Sequence, residues 1–183
     1  MIADAERILI SEEELDAIVT RLGKQITEDY RGKKLLLVSV LKGAVVFMTD
    51  IMRKIEIPCR IDFMATSSYE GAQSTGVVKI VKDLDADIAG WDVLIIEDIL
   101  DSGRTLSYIT ELLMARNPNS LKICTLLDKP KARVVESVQP TYVGAEIENE
   151  FVIGYGLDYN ERYRNLPYIG ILKREIYSKK KSD

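Results

Sequence analysis

The chain has no histidine among its 183 residues. That removes Ser-His and Cys-His nucleophile pairs, HExxH zinc sites and every imidazole proton transfer. General-base work must then fall to a carboxylate, a lysine, a tyrosine or a metal-bound water. Any metal would be held by oxygen ligands, which favours magnesium or manganese. Cysteine is almost as scarce. Cys59 and Cys124 can make at most one disulfide, so neither a disulfide scaffold nor a four-cysteine zinc site is available, and both thiols read as buried and inert. No apolar run is long enough to span a bilayer. The opening MIADAERILISEEE lacks the basic-then-apolar order of a secretory signal, which predicts a cytosolic location. Net charge is -4 and the basic run Lys179 to Lys181 is short, so nucleic acid is not the expected partner. A polyanionic substrate would have to be met locally, by backbone N–H groups, a few cations and a metal.

Hydrophobic residues make up 46% of the chain and charged residues 30%, a balance that predicts one globular domain spanning residues 1–183. Ser11-Glu12-Glu13-Glu14 is a capping box with Ile10 and Leu15 placed for a hydrophobic staple, and the helix it opens should run to about Tyr30. Leu35 to Val40 is a continuous apolar run, as expected of a strand buried on both faces. Leu41-Lys42-Gly43 turns into a helix ending near Lys54. Further strands are expected at Arg60 to Ala65, Val77 to Val81, Trp91 to Ile96, Leu121 to Leu127, Tyr142 to Ala145, Phe151 to Tyr155 and Tyr168 to Leu172, with a helix from about Thr105 to Ala115. The polar, Gly- and Ser-rich stretch Thr66 to Gly76 reads as a mobile lid. Apolar strands alternating with helices imply a mainly parallel, twisted α/β sheet flanked by helices. Ligands bind such sheets at the carboxyl ends of the strands, where Leu41-Lys42-Gly43, Glu97 to Thr105 and Asp128-Lys129 fall.

VLIIEDILDSGRTL is the most informative segment. Asp101-Ser102-Gly103-Arg104-Thr105 combines a glycine and two hydroxyls with the first turn of a helix, whose free N–H groups and dipole suit a phosphate. It is not a P-loop, since GxxxxGK[ST] is missing. Glu97 and Asp98 end the preceding buried strand, and adjacent carboxylates there are costly unless they accept hydrogen bonds or meet a cation. Ribose hydroxyls would supply the first, a magnesium-bound pyrophosphate the second. The plainer alternative is that Asp101 only caps the helix while the other two acids face water.

This segment resembles the phosphoribosyl-pyrophosphate motif of type I phosphoribosyltransferases. The stretches LLLVSVLKGA, DFMATSSY, VKIVKDLD, CTLLDKP and FVIGYGLDYNERYRNLPYIG extend the likeness, along nearly the whole chain, to the hypoxanthine-guanine phosphoribosyltransferases, the bacterial hypoxanthine enzymes above all. The resemblance implies a small hood built from the chain ends. It implies that Glu97 and Asp98 hold the ribose hydroxyls and magnesium, and that Asp101 to Thr105 bind the 5′-phosphate. Asp101 would also take the proton from N7 of the purine. Leu41, Lys42 and Gly43 would form a pyrophosphate loop, where the family carries a non-proline cis peptide before the second residue, and Arg164 would meet the pyrophosphate. Lys129 would read the 6-oxo group, Phe151 would stack on the purine, Val152 would offer backbone contacts and Asp158 would reach magnesium. Ser68 and Tyr69 would close over the site.

Without the resemblance, Lys42 and Arg164 are solvated cations, Lys129 a surface lysine beside Pro130, Phe151 and Val152 core residues of a strand, and Asp158 a turn acid. Two departures from the family pattern, Ala145 and Glu148-Asn149, fall near the base pocket. The implied reaction is magnesium-dependent transfer of ribose 5-phosphate from 5-phosphoribosyl 1-pyrophosphate to hypoxanthine or guanine, giving IMP or GMP and pyrophosphate, in a homodimer or homotetramer. Rival readings are an RNA-binding regulator on the same fold, which would need a basic face, and a DNA-binding repressor, for which the residues before Leu35 leave no room. A pyrimidine or xanthine phosphoribosyltransferase fits the phosphate motif alone, but not Lys129 and the C-terminal matches.

Overall fold

A computed structural model describes residues 2–68 and 78–178. The elements run β1 (Ala5–Ile10), α1 (Glu12–Asp29), β2 (Leu35–Leu41), α2 (Val45–Lys54), β3 (Cys59–Ser68), β4 (Val78–Lys82), β5 (Asp92–Leu100), α3 (Arg104–Met114), β6 (Ser120–Asp128), β7 (Tyr142–Glu146), β8 (Val152–Ile153), β9 (Ile169–Leu172) and α4 (Arg174–Tyr177). Six strands form one sheet in the order β4-β3-β2-β5-β6-β7. All its neighbours pair in parallel except β3 and β4, which are antiparallel.

The unbroken apolar runs of β2 and β5 follow from helices on both faces. Leu35, Leu37, Leu94 and Ile96 pack with Leu22, Ile26, Phe47 and Ile51 of α1 and α2. The alternate residues Leu36, Val38, Val93 and Ile95 pack with Leu106, Ile109 and Leu113 of α3. Both chain ends meet in a second, antiparallel sheet ordered β1-β9-β8, which is the expected hood.

The structure corrects several boundaries. Strand β5 does not stop at Ile96, because β6 offers partners farther on: Glu97 lies opposite Thr125, Ile99 opposite Leu127 and Leu100 opposite Asp128. The two acids therefore sit within a strand. Residues 66–68, expected in the lid, belong to β3 and pair with β4; Tyr69 and the rest of that loop to Gly76 lie outside the described residues. The strand expected from Phe151 to Tyr155 shrinks to Val152–Ile153, since Gly154 and Tyr155 turn to φ of 96° and 50°. Strand β1 is not evident in the sequence because register shifts between Ala5 and Arg7 and between Ile8 and Ile10 break the two-residue period.

The capping box closes as expected: Ser11 Oγ accepts from the Glu14 N–H at 3.2 Å and Glu14 Oε2 accepts from the Ser11 N–H at 2.7 Å. Ser11→Ala should cost about 1 kcal/mol, a fall in melting temperature of roughly 2–4 °C by calorimetry. Cys124 is buried and Cys59 half-buried, and burial raises the pKa of both thiols. Among the described residues, no helix is long and apolar enough to cross a membrane.

Candidate active site

The carboxyl ends of β2 and β5 and the start of α3 enclose a cavity of about 250 Å³ lined by Leu41, Gly43, Glu97, Asp98 and Asp101 to Thr105, among others. Burial pushes the Glu97 carboxyl well above the usual carboxylate range, and the adjacent Asp98 charge pushes it further. Asp98 is raised by burial too; hydrogen bonds from Glu97 and from the Ile99 N–H, at 2.7 Å, and the charge of Arg164 act against the rise. A group of donors or a cation in this cavity would therefore be drawn to the pair.

The Leu41–Lys42 peptide is cis, as the resemblance implied. Gly43 has no room for a side chain, because a Cβ there would run into the Asp98 carboxylate. Gly156, at φ +98°, presses on the same turn from the other side, where a Cβ would meet the Gly43 carbonyl. Gly103 caps α3 at φ +80°, a conformation glycine adopts without steric cost. Asp101 is exposed and does not cap α3, so its carboxylate is left facing the cavity.

A second cavity of about 330 Å³ lies beside the first, lined by Ile99, Asp101, Lys129, Asn149 to Val152, Leu157, Asp158 and Tyr177. Ile99 and Asp101 line both, so Asp101 stands where the two meet. Lys129 is not a surface residue: it is 6% exposed and its Nζ donates to the Glu150 carbonyl at 2.8 Å. Burial lowers its pKa, while Asp101 and Glu150 pull it back up. An ammonium has three N–H donors, so two remain for a ligand. Val152 is a core residue as well as a lining one. Phe151 is no core residue. The residue is 36% exposed, with its ring edge-on to Tyr159 and stacked on Tyr177 with centroids 5.0 Å apart.

Not every expected residue reaches these cavities. Lys42 turns away to pair with Glu161 at 3.0 Å. Arg164 donates to the Gly156 carbonyl and pairs with Asp158 at 3.0 Å and Glu161 at 3.4 Å, and it faces a separate 490 Å³ cavity between α1 and α2. Ser68 ends β3. Among the described residues no three His, Cys, Asp or Glu side chains are grouped to hold a metal. Magnesium keeps most of its water and takes one or two carboxylates together with substrate phosphates, and Glu97 and Asp98 are adjacent carboxylates that could hold one.

A phosphoribosyl transferase domain matches residues 7–160. The chain is 54% identical, over 96% of its length and 98% of the relative's, to a hypoxanthine-guanine phosphoribosyltransferase of Staphylococcus aureus. The chain belongs to the hypoxanthine-guanine phosphoribosyltransferase family. The crystal structure of a Staphylococcus aureus hypoxanthine phosphoribosyltransferase superposes with a TM-score of 0.91 at 54% identity, covering 95% of both chains. A Trypanosoma cruzi hypoxanthine phosphoribosyl transferase reaches 0.92 at 40% identity, covering 97% of this chain and 96% of the other. The bifunctional protein TilS/HprT of Listeria monocytogenes is 56% identical over 96% of this chain; the chain spans only 27% of the length of that relative.

Within this family fold, the two departures are accommodated. Ala145 packs against the core of the α1 and α2 face. Glu148 pairs with Lys131 at 2.8 Å while Asn149 lines the second cavity. Three residues that shape the site carry no sequence signal. Arg133 donates to the Asp101 carbonyl at 3.0 Å and to the Val138 carbonyl, and pairs with buried Asp128, so it ties the turn before α3 to the end of β6. Its partners are set by tertiary packing, not by spacing. Tyr177 and Glu161 likewise lie in segments that read as a charged tail and a polar turn.

Proposed function

We propose that the chain transfers the 5-phosphoribosyl group from 5-phosphoribosyl 1-pyrophosphate to N9 of a 6-oxopurine, hypoxanthine or guanine, giving IMP or GMP and pyrophosphate. The observation that carries this reading is the sharing of Asp101 between the phosphate-type cavity and the base-type cavity. A sugar phosphate in one and a flat base in the other would bring the reacting carbon and nitrogen together beside one carboxylate.

In this reading Asp101 to Thr105 bind the 5′-phosphate through the N–H groups at the start of α3. Glu97 and Asp98 accept from the ribose hydroxyls and would hold a magnesium ion, which Asp158 would also reach. Magnesium, when bound, offsets the charge of the departing pyrophosphate. The backbone of Leu41, Lys42 and Gly43 and the Arg164 guanidinium hold that anion. Asp101 accepts the proton from N7 as N9 bonds to the sugar. Water must be kept from the site during transfer, because it would otherwise capture the ribosyl cation.

Lys129 sets the choice of base. Its free N–H donors match a 6-oxo oxygen and have nothing to accept from the 6-amino group of adenine. Phe151, supported by Tyr177, stacks on the ring, and Val152 meets its edge through the backbone. Both substrates are soluble intracellular anions or bases, which fits a cytosolic location, and the family resemblance supports a homodimer or homotetramer.

The test is nucleotide formation from phosphoribosyl pyrophosphate with hypoxanthine, guanine, xanthine, adenine or uracil, with and without magnesium. Product is expected with the first two bases only, and only with magnesium. Lys129→Met should raise the KM for hypoxanthine roughly 10- to 100-fold, the effect of losing a charge-assisted hydrogen bond, with little change in the KM for phosphoribosyl pyrophosphate. Equal loss for both substrates would remove Lys129 from base recognition.

A further inference from the structure

Glu161 is not among the residues that the reaction requires, yet its carboxylate stands between two that are. One oxygen pairs with Lys42 at 3.0 Å and the other with Arg164 at 3.4 Å. These are the cation of the pyrophosphate loop and the arginine read as meeting the same anion. Glu161 thus makes, with its two oxygens, the kind of bridging contact that a pyrophosphate would make.

The backbone around Glu161 argues that its side chain is there for a purpose. Tyr159 and Arg162 exchange backbone hydrogen bonds at 3.2 and 3.1 Å, closing a two-residue turn whose central residues, Asn160 and Glu161, lie at φ 51° and 60°. Two successive left-handed residues suit Asn-Gly, because the second has no Cβ to strain. Here the glycine position carries a glutamate. The turn is held by a bond from the Glu161 N–H to Asp158 Oδ2 at 2.9 Å, and Asp158 itself pairs with Arg164.

We propose that Glu161 is a built-in competitor for pyrophosphate, occupying Lys42 and Arg164 in the free protein and so setting how tightly the leaving anion is held. The pair is exposed, with 66% and 65% of the Lys42 and Glu161 side chains accessible. Its contacts are therefore weak enough to exchange with a substrate phosphate and strong enough to bias the equilibrium. In a reaction whose product is a polyanion, such a competitor speeds product departure. This inference rests on the pyrophosphate reading of Lys42 and Arg164 given above.

The experiment measures pyrophosphate binding to the whole protein by calorimetry, with magnesium and without base, and its inhibition constant in nucleotide formation. Wild type is compared with Glu161→Gln, Glu161→Gly and Glu161→Asp. Loss of two exposed ion pairs should tighten pyrophosphate about 2- to 10-fold in the Gln and Gly proteins, leave the KM for hypoxanthine unchanged, and leave the Asp protein close to wild type. Glu161→Gly should also melt higher, since it relieves the turn, which separates the effect from damage to the fold. Unchanged or weaker pyrophosphate binding in the Gln and Gly proteins, or none in wild type, overturns the proposal. Tighter binding in a protein that forms no nucleotide would uphold it while sinking the assigned reaction.

Discussion

Asp101→Asn should lower turnover by roughly 10²- to 10⁴-fold, the usual cost of a lost general base, with the melting temperature and the KM for phosphoribosyl pyrophosphate nearly unchanged. The substitution keeps shape and removes only charge and basicity. Asp101 neither caps α3 nor packs in the core, and its carbonyl, which accepts from Arg133, survives in asparagine. Turnover measured at saturating substrates, with a circular dichroism melt alongside, separates chemistry from folding. With histidine absent from the chain, no imidazole can substitute. Turnover within a few-fold of wild type would mean that N7 loses its proton to solvent, and Asp101 would keep only its place in the phosphate turn.

Gly43→Ala is expected to cut kcat/KM for phosphoribosyl pyrophosphate by about 100-fold or more, the scale of a 1 Å misplacement near a reacting centre. The added methyl would overlap the Asp98 carboxylate, and the turn cannot retreat because Gly156 already abuts the Gly43 carbonyl. Asp98 must then swing away, losing its bond from the Ile99 N–H and its place beside Glu97. The loss should fall on phosphoribosyl pyrophosphate and on the magnesium requirement, leaving the affinity for hypoxanthine nearly intact. Equal loss for both substrates would mean that the sheet itself had been disturbed.

The features that the sequence announces are those fixed by local physics. A buried two-faced strand needs an unbroken apolar run, and Leu35 to Val40 shows one. A helix start needs a cap, and Ser11 with Glu14 supplies it. The acidic pair and the following turn sit together in the chain, so Glu97, Asp98 and Asp101 to Thr105 could be read as one unit and do line one cavity. The second cavity was different. Lys129 and Phe151 lie 22 residues apart and looked individually bland; the family resemblance brought them together, and the structure shows the first buried and the second exposed.

What stayed hidden depends on distant partners. β1 breaks its alternation with two register shifts, and β5 outruns its apolar stretch because β6 can pair with it as far as Leu100. Lys42 and Arg164 meet Glu161 instead of opening on the cavity, a conformation no local pattern encodes.

The ladder between β1 and β9, which sets Ala5 opposite Leu172, constrains the order in which the molecule can be assembled. Strand β1 cannot complete this ladder until β9, far along the chain, has been made. Strand β9 in turn secures the second cavity, through the Leu172 N–H that donates to the Phe151 carbonyl at 2.8 Å. The turn from Asp101 to Thr105 is built on β5, β6 and α3 and tied down by Arg133, all of them earlier in the chain than β9. On the proposed reading the sugar-phosphate side of the site is therefore built from earlier elements than the base side, and pairings between such distant segments are the slow ones to form.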